Sequence, residues 1–277
     1  MSLLFDQRRT PGMTLRLWLE DVVREAGGLA LEMAGRVRTE RKGSSIVSEA
    51  DRAVERLIVD RIRAEYPDDY ILAEESGADP GGVPSPGGPS PGEEVRWWAV
   101  DPIDGTLPYL SGLPFWGVSV ACLRGSRPEG AAVALPAMGE MYSALSGELS
   151  FRNGELIPPV PPDPPVDHSA LFVPCGDFEG LEIRFPGKRL SLAAVSLHFL
   201  YTASGASFGA VSEPTRAYDI AASALILESA GGAVRYISGK EIDYAELADG
   251  RRTPEPVAAA HPHQVEWLCG QVKWARD

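Results

Sequence analysis

The sequence predicts a layered α/β fold of the α+β type, in which helices and sheets stack as a sandwich. Two long stretches near the N-terminus repeat apolar residues at helical spacing, and shorter apolar runs typical of strands follow them. Helices and strands then alternate irregularly to the end of the chain, without an internal repeat. The length of 277 residues fits one large unit or two fused layers.

The composition argues against several classes of function. A net charge of −13 makes nucleic acid an unfavourable partner, because phosphate backbones bind to basic surfaces. No run approaches the ~18 apolar residues of a membrane span, and the first residues lack a secretory pattern, so we expect no membrane contact. The three cysteines are far apart, without metal or disulfide spacing, which indicates a reducing compartment and a cytoplasmic protein.

The first elements are two amphipathic helices and a strand. One helix is predicted over 14–33 from its apolar stripe. The next begins after Ser48, a suitable N-cap with Asp51 three residues on, and ends at Pro67. A short strand over 70–76 then delivers an acidic pair, Glu74 and Glu75.

The following region combines a long loop with several strands. Residues 77–92 are rich in glycine and proline and have no hydrophobic period, which predicts a mobile surface loop or lid. A strand over 95–100 comes next, and "FWGVSVACL", "AAVAL" and "MYSAL" predict three more. Asn153 and Gly154 then give a hairpin signal.

A proline-rich run, "PPVPPDPP" at 158–165, predicts a stiff connector between two halves. The N-terminal half, 1–157, carries most of the candidate site residues, and the C-terminal half, 166–277, carries Asp219 and the substrate-reading segment. The elements expected in the second half are a strand over 170–173, a helix over 189–205, a helix from Asp219 to Gly231, strands near 233–237 and 257–260, and a last helix from about His263.

Two carboxylates stand three residues apart in "AVDPIDGT". Asp101 is expected to end its strand, and Pro102 removes a backbone N–H, so a tight turn is predicted here. Such a turn aims Asp101 and Asp104 at one point and exposes the Ile103 carbonyl, and hard cations such as Mg²⁺ prefer oxygen ligands of these kinds. The alternative is structural, with Asp104 as a helix N-terminal acid and Asp101 as a turn former.

A phosphate site and two further acids accompany this pair. Gly105 and Thr106 open a short helix whose free N–H groups suit a phosphate. Glu74 ends one strand and Asp219 begins a helix, and each has a structural alternative, as a loop-edge acid and as an N-cap. Four acids in such positions repel one another strongly without cations, so a shared metal site is the economical explanation.

Three segments carry a resemblance to a known family. "AEES" at 73–76, "DPIDGT" at 101–106 and "YDIAASALILESAGG" at 218–232 look like signatures of the inositol monophosphatase family. "SSIVSEADRAVE" at 44–55 resembles a segment upstream of them. The resemblance implies an αβαβα sandwich of the sugar-phosphatase type, two or three Mg²⁺ ions, and a lithium-sensitive phosphatase.

The resemblance also implies roles for single residues. The implied metal ligands are Glu74, Asp101, the Ile103 carbonyl, Asp104 and Asp219. The implied catalytic residues are Thr106, Asp51 and Glu74; the phosphate-binding amides are those of Gly105 and Thr106; the substrate contacts are Glu213 and Asp104. Thr106, paired with Asp51, would orient and deprotonate the attacking water. Asp51 is also read as the capping-box acid opposite Ser48, and the two roles can coexist.

The chain departs from the family pattern where the family reads its substrate. Ala193 and Ala194 stand in place of a Gly-Ser/Thr dipeptide, which removes an expected substrate contact. The segment before Asp219 is about one residue short, and Tyr218 replaces the usual Trp. The resemblance is therefore strongest at the metal centre and weakest at the substrate.

The predicted function is hydrolysis of a small phosphorylated metabolite, an inositol monophosphate-like sugar or polyol phosphate, by a Mg²⁺-dependent phosphomonoesterase. A 3′(2′),5′-bisphosphate nucleotidase, a fructose-1,6-bisphosphatase, or a non-catalytic metal-binding regulator on the same fold are the alternatives, and a homodimer is possible. The D-x-x-D-G-T spacing, a hundred residues into the chain, disfavours a haloacid dehalogenase-like phosphatase, whose motif is D-x-D-G-T.

Overall fold

The computed structural model describes residues 14–35, 39–42, 45–78, 92, 94–176, 178 and 180–275. The helices in these residues are α1 (Leu15–Met33), α2 (Glu49–Glu65), α3 (Thr106–Leu110), α4 (Val195–Ala203), α5 (Ala217–Ser229) and α6 (Pro262–Gly270). Short 3₁₀ turns lie at Pro136–Met138 and Tyr244–Leu247.

The strands fall into two main groups. The strands before the connector are β1 (Thr39–Lys42), β2 (Ser45–Ser48), β3 (Tyr70–Ala73), β4 (Gly77–Ala78), β5 (Arg96–Asp104), β6 (Gly117–Arg124), β7 (Arg127–Leu135), β8 (Glu140–Leu145), β9 (Phe151–Arg152) and β10 (Glu155–Leu156). Those after it are β11 (Ala170–Phe172), β12 (Leu181–Ile183), β13 (Lys188–Leu190), β14 (Gly209–Ser212), β15 (Ala233–Tyr236), β16 (Val257–Ala260) and β17 (Val272–Trp274).

Eight strands form the large sheet, in the order β10-β9-β8-β7-β6-β5-β3-β4. Its pairings are antiparallel except that of β3 with β5, which run parallel with Ala73 opposite Val100. Strands β9 and β10 form the predicted hairpin, in which both Asn153 (φ 52°) and Gly154 (φ 80°) adopt the left-handed conformation. This is the geometry that an Asn-Gly turn favours, since it matches the twist of the flanking strands.

The smaller sheet has five strands, in the order β13-β11-β14-β16-β15. Helices α1 and α2 cover one face of the large sheet, and α4 and α5 lie between the two sheets. Helix α6 packs on the outer face of the smaller sheet. The order of layers is therefore helix, sheet, helix, sheet, helix, which confirms the predicted αβαβα sandwich.

Helices α1 and α2 have close to their predicted bounds because each has a continuous apolar stripe, and local signals define the start and the end of α2. Ser48 and Asp51 form the predicted capping box of α2. Helix α1 continues through Gly27, where a Cβ atom would lie 2.7 Å from Cγ of Pro136. The glycine costs helix stability in isolation, but it allows α1 to approach the turn after β7.

The predicted helix over 189–205 is wrong at its N-terminal end. Residues 188–190 belong to β13, and α4 begins at Val195. Ala193 has a φ of 58°, a left-handed conformation that cannot continue a helix of L-residues. Strands β12, β13 and β17 have three residues each, too few for a hydrophobic period, and the sequence does not predict them.

The connector at 158–165 has no helix or strand. One cluster of buried side chains extends from the large sheet, through α4 and α5, to the smaller sheet, so residues before and after the connector pack into a common core. The division into two halves stays a prediction. Within the described residues, no helix has both the length and the apolar character to cross a membrane.

Candidate active site

Two acids meet at the carboxyl end of β3, beside β5. Because these strands are parallel, Glu74, just after Ala73, and Asp101, just after its partner Val100, lie side by side at the same end of the sheet. The Glu74 N–H donates to the Val100 carbonyl at 3.1 Å, and burial, followed by the charge of Glu74, raises the pKa of Asp101. The two carboxyl groups are therefore close neighbours at this end of the sheet.

A buried acid holds the turn that follows Glu74. The carboxylate of Glu55, on α2, accepts hydrogen bonds from the N–H groups of Glu75 at 2.7 Å and Ser76 at 2.8 Å. The strand predicted over 70–76 therefore ends at Ala73, and the acidic motif lies in the turn. Of the predicted loop at 77–92, residues 77–78 form β4, whereas 79–91 lie outside the described residues.

The predicted tight turn after Asp101 is instead a bulge within a strand. Strand β5 continues to Asp104, and its register with β6 shifts between Asp101 and Asp104. Pro102 lies in this interval, where its missing N–H costs no ladder hydrogen bond. The Ile103 N–H donates to Oδ1 of Asp101 at 3.1 Å. A bulge re-aims side chains at a sheet edge, which is the effect expected above from a turn.

Asp104 is bound to the start of α4. Its Oδ2 accepts hydrogen bonds from the N–H of Ser196, at 2.7 Å, and from the Ser196 hydroxyl. Helix α4 has no side-chain cap of its own, so the carboxylate of a residue 92 positions away satisfies one of its free N–H groups. Ser196 was not predicted as a site residue, since no local pattern in the sequence connects it to Asp104.

Asp219 lies in the first turn of α5 rather than at its N-cap. The helix begins at Ala217, and Oδ2 of Asp219 accepts from the Arg216 N–H at 2.7 Å and from the Thr215 hydroxyl at 2.5 Å. The N-cap alternative is therefore wrong by three residues. The carboxylate still faces the positive end of the helix, which favours its ionised form.

Asp51 links the start of α2 to the start of α3. Its Oδ2 accepts from the Ser48 N–H at 2.9 Å and from the Ser48 hydroxyl, while its Oδ1 lies 3.5 Å from the Thr106 hydroxyl. The Thr106 hydroxyl is also 3.3 Å from the Ile103 carbonyl. Asp51 thus caps a helix and also lies next to Thr106, so its two predicted positions coexist.

Gly105 is required by both its conformation and its surroundings. Its φ of 90° is left-handed, and a Cβ atom there would lie 2.7 Å from the Phe115 carbonyl oxygen and 3.0 Å from Cβ of Ala194. Thr106 then begins α3, so the predicted short helix is present. The close approach also places the Ala193-Ala194 segment beside the DPIDGT motif.

The electrostatics of these acids reflect burial and mutual repulsion. Burial, followed by the charge of Asp219, raises the pKa of Glu74 to about 8. Burial and the charge of Glu74 raise the pKa of Asp101 well above its usual range. Burial raises the pKa of Asp104 to about 7, although the Ser196 hydrogen bonds oppose the shift. The pKa of Asp219 is raised by burial against its bond to Thr215.

A cavity of about 630 Å³ opens beside these residues. Glu74, Asp104 and Asp219 line it, whereas Asp101 is 2% exposed and is not in its lining. Glu213 also lines the cavity, and burial raises the pKa of its carboxyl. The structure therefore brings the predicted carboxylates into one region, together with the segment expected to contact the substrate.

The chemistry of these donors suits Mg²⁺. Buried carboxylates with raised pKa values are stabilised in their ionised form by a hard cation, which prefers oxygen ligands. Among the described residues, no three His, Cys, Asp or Glu side chains are already arranged to hold an ion between them. Asp104 and Asp219 are instead bonded to donors of the protein, so the assignment of ligands to particular ions stays a prediction.

Comparison with known proteins identifies the family. The model of the inositol monophosphatase family matches residues 18–273. The chain belongs to the inositol monophosphatase family. A protein of Thermotoga maritima named fructose-1,6-bisphosphatase/inositol-1-monophosphatase is 32% identical over 234 residues, which cover 79% of this chain and 84% of that protein. The family resemblance seen in the sequence is therefore confirmed.

Other relatives of this inositol monophosphatase family member have different names. A histidinol-phosphatase of Chlorobaculum parvum is 31% identical over 236 residues, which cover 80% of this chain and 85% of that protein. The Nus factor SuhB of Vibrio cholerae is 30% identical over 266 residues, which cover 88% of this chain and 89% of that protein. The solved structure of the Thermotoga maritima IMPase has a TM-score of 0.75 at 27% identity, covering 91% of this chain and 93% of that one.

Proposed function

We propose that the protein is a Mg²⁺-dependent phosphomonoesterase that hydrolyses a small phosphorylated sugar or polyol. Family membership supports a phosphatase on this fold. The observation that carries the proposal is the set of four acids beside a cavity, Glu74, Asp101, Asp104 and Asp219: burial raises the pKa of each, and neighbouring acids raise the pKa of the first three further. Without cations, the repulsion between these carboxylates destabilises the fold, and bound cations would offset that repulsion.

The proposed cation ligands are Glu74, Asp101, the Ile103 carbonyl, Asp104 and Asp219. When bound, Mg²⁺ would stabilise the negative charge of the phosphoryl group and of the leaving oxygen, and would lower the pKa of water. The N–H groups of Gly105 and Thr106 would bind the phosphate. Mg²⁺ and these N–H groups are needed to attract the phosphate because the protein as a whole is strongly acidic.

The chain's own groups would orient and deprotonate the attacking water. The Thr106 hydroxyl would accept a hydrogen bond from water while donating its own proton to Oδ1 of Asp51, 3.5 Å away. Burial raises the pKa of Asp51, so this carboxylate is a better proton acceptor than an exposed one. The two hydrogen bonds from Ser48 hold Asp51 in place during the transfer.

A metal titration with a panel of substrates tests the proposal. We expect the metal-stripped protein to hydrolyse inositol 1-phosphate or another polyol phosphate only after Mg²⁺ is added, in the millimolar range typical of weakly held Mg²⁺. Asp219→Asn should lower turnover strongly, whereas Asp167→Asn, a change at an exposed acid, should not. Undiminished hydrolysis after exhaustive chelation contradicts the proposal. Lithium inhibition and a homodimer stay predictions.

The main alternatives are a phosphatase with a different substrate and a protein without catalytic activity. The names of the relatives favour hexose bisphosphates, polyol monophosphates and histidinol phosphate as first members of the panel. Because five relatives are named Nus factor SuhB, a non-catalytic role is the second candidate. Thr106 beside Asp51 argues against it, since a protein that only binds metal has no use for a water-activating pair.

A further inference from the structure

Two arginines interrupt the acidic lining of the cavity. Arg216 and Arg252 are the only cationic side chains among its described lining residues. Six acidic residues line the same space: Glu74, Glu75, Asp104, Glu213, Asp219 and Asp249. The arginines come from two segments that meet at the cavity, one leading into α5 and the other preceding β16.

Each arginine is anchored through one nitrogen. Nη1 of Arg252 donates to the Pro214 carbonyl at 2.6 Å, and Nε of Arg216 donates to the Gly250 carbonyl at 3.0 Å. The Nε and Nη2 atoms of Arg252, and the two Nη atoms of Arg216, have no hydrogen-bond partner in the described part of the chain. Each guanidinium therefore keeps a two-nitrogen edge, the geometry that binds phosphate or carboxylate with two parallel hydrogen bonds.

A buried hydroxyl adds an independent observation. Ser212 is 2% exposed and borders the cavity, and its Oγ has no hydrogen-bond partner among the described residues. It directly precedes Glu213, the predicted substrate contact. A buried hydroxyl without a partner is unfavourable, so an acceptor oxygen of a ligand would relieve it.

We propose that Arg252, assisted by Arg216 and Ser212, binds a second anionic group of the substrate, away from the phosphate that is hydrolysed. The substrate class is then a small phosphomonoester that also carries a second phosphate or a carboxylate. The cavity volume of about 630 Å³ leaves room for such a molecule. This inference rests on the proposed phosphatase function and narrows it.

Two matched pairs of substrates test the inference. Fructose 1,6-bisphosphate is compared with fructose 1-phosphate, and 6-phosphogluconate with sorbitol 6-phosphate, by kcat/KM with Mg²⁺. The first pair differs in a second phosphate, and the second pair compares a carboxylate with a neutral alcohol. We expect a preference of roughly 10- to 100-fold for the doubly anionic member of at least one pair, the effect of a bidentate charged contact. The pair that shows it identifies the group.

The variants are Arg252→Met and, as a matched control, Arg251→Met. Arg251 is adjacent but does not line the cavity, and its Nε and Nη2 atoms are bonded to Asp249. We expect Arg252→Met to bring the ratio of the kcat/KM values within the pair close to one, and Arg251→Met to leave that ratio unchanged. No preference in the unmodified protein, or an equal loss in both variants, overturns the subsite.

Binding measured without turnover separates this inference from the proposed function. Calorimetric titration of the same four compounds, with Ca²⁺ in place of Mg²⁺, reports the affinity preference directly. If the protein binds the doubly anionic compounds more tightly and Arg252→Met removes this difference, the subsite is supported even when no compound is hydrolysed. The absence of hydrolysis would then contradict only the proposed phosphatase activity. Hydrolysis of the monophosphates without a preference in either measurement overturns the subsite and leaves the phosphatase standing.

Discussion

Ser196 donates both its backbone N–H and its hydroxyl to a single oxygen, Oδ2, of Asp104. The carboxylate belongs to the bulged end of β5, and the serine to the first turn of α4, so the contact joins the large sheet to the helical layer between the sheets. Asp104 is a proposed metal ligand. Its orientation is therefore set by a residue that the family motifs in the sequence do not include.

The first prediction concerns this contact. Ser196→Ala removes one of the two donors to a buried carboxylate, and we expect a loss of about 1–3 kcal/mol in the free energy of unfolding of the metal-free protein. The apparent Mg²⁺ affinity should also change, because a less constrained Asp104 can turn toward the ion. Denaturant unfolding with chelator, and the Mg²⁺ dependence of turnover, measure the two effects.

Ser223→Ala is the matched control for Ser196→Ala. Ser223 is buried too, but its hydroxyl donates to the Ile220 carbonyl within its own helix. We expect it to leave the Mg²⁺ dependence unchanged. If both variants shift that dependence equally, the effect of Ser196 is a general consequence of altered packing.

The second prediction separates catalysis from capping at Thr106. If its hydroxyl aligns the attacking water, Thr106→Ala should lower kcat by roughly 10²–10⁴-fold with little change in Mg²⁺ dependence. Thr106→Ser keeps the hydroxyl and should retain most of the turnover. Thr106→Ala could instead lower the melting temperature, by a loss of ~1 kcal/mol of stability, and keep a near-normal kcat. That result would show that Thr106 only stabilises the start of the helix.

The third prediction is a pH dependence of stability in the metal-free protein. The folded pKa values of Glu74 and Asp104, about 8 and about 7, lie above the value of about 4 for an unfolded carboxyl. The folded state therefore holds these protons more tightly, so stability is present below about pH 4 and is lost as the pH rises toward 8. A carboxyl whose pKa rises by one on folding contributes about 1.4 kcal/mol, and each kcal/mol moves Tm by about 2–4 °C.

Melting curves at pH 5 and pH 9, with chelator and with Mg²⁺, measure this dependence. We expect Tm to fall at high pH with chelator, and Mg²⁺ to restore it by compensating the ionised carboxylates. Glu74→Gln should weaken the dependence, because it removes one of the groups with a raised pKa. A metal-free protein that is more stable at pH 9 than at pH 5 would show that the carboxylates are ionised in the folded state without cations.

The fourth prediction uses two glycines that both have a positive φ. Gly105 and Gly112 have φ angles of 90° and 72°, but a Cβ at Gly112 would contact nothing within 4 Å. Gly112→Ala should cost about 1–2 kcal/mol from backbone strain. Gly105→Ala should cost more and abolish turnover, since the added methyl would displace the start of α3 or the Ala194 segment. Equal stability losses and equal kcat values in the two variants would contradict this.

Much of the fold was predictable because local signals define it. The apolar stripe and the Ser48 capping box define α2, and the Asn153-Gly154 turn defines a hairpin. The fold class and the family follow from such signals and from three short motifs. The motifs also identify Glu74, Asp101, Asp104 and Asp219 as site candidates, although these acids lie in three distant parts of the chain: the turn after β3, strand β5 and helix α5.

The remaining features depend on residues distant in sequence. Strand β13 exists because it pairs with β11, and α4 starts late because Ala193 is left-handed beside the Gly105 turn. The segment after Asp101 is a bulge rather than a turn because β6 pairs with Asp101 and with Asp104, on both sides of it. In each case a neighbouring element overrides the local preference.

Periodicity and motifs of a few adjacent residues are enough to establish the family, the sandwich and the acids proposed to bind metal. Two features become visible only once the layers are packed: Ser196 holds Asp104, and Arg216 and Arg252 share the cavity with the acids. Hydrogen bonds and charge neighbours across tens of residues leave no periodic trace in a single sequence. They arise when the layers pack together, and they set the part of the site that would read the substrate.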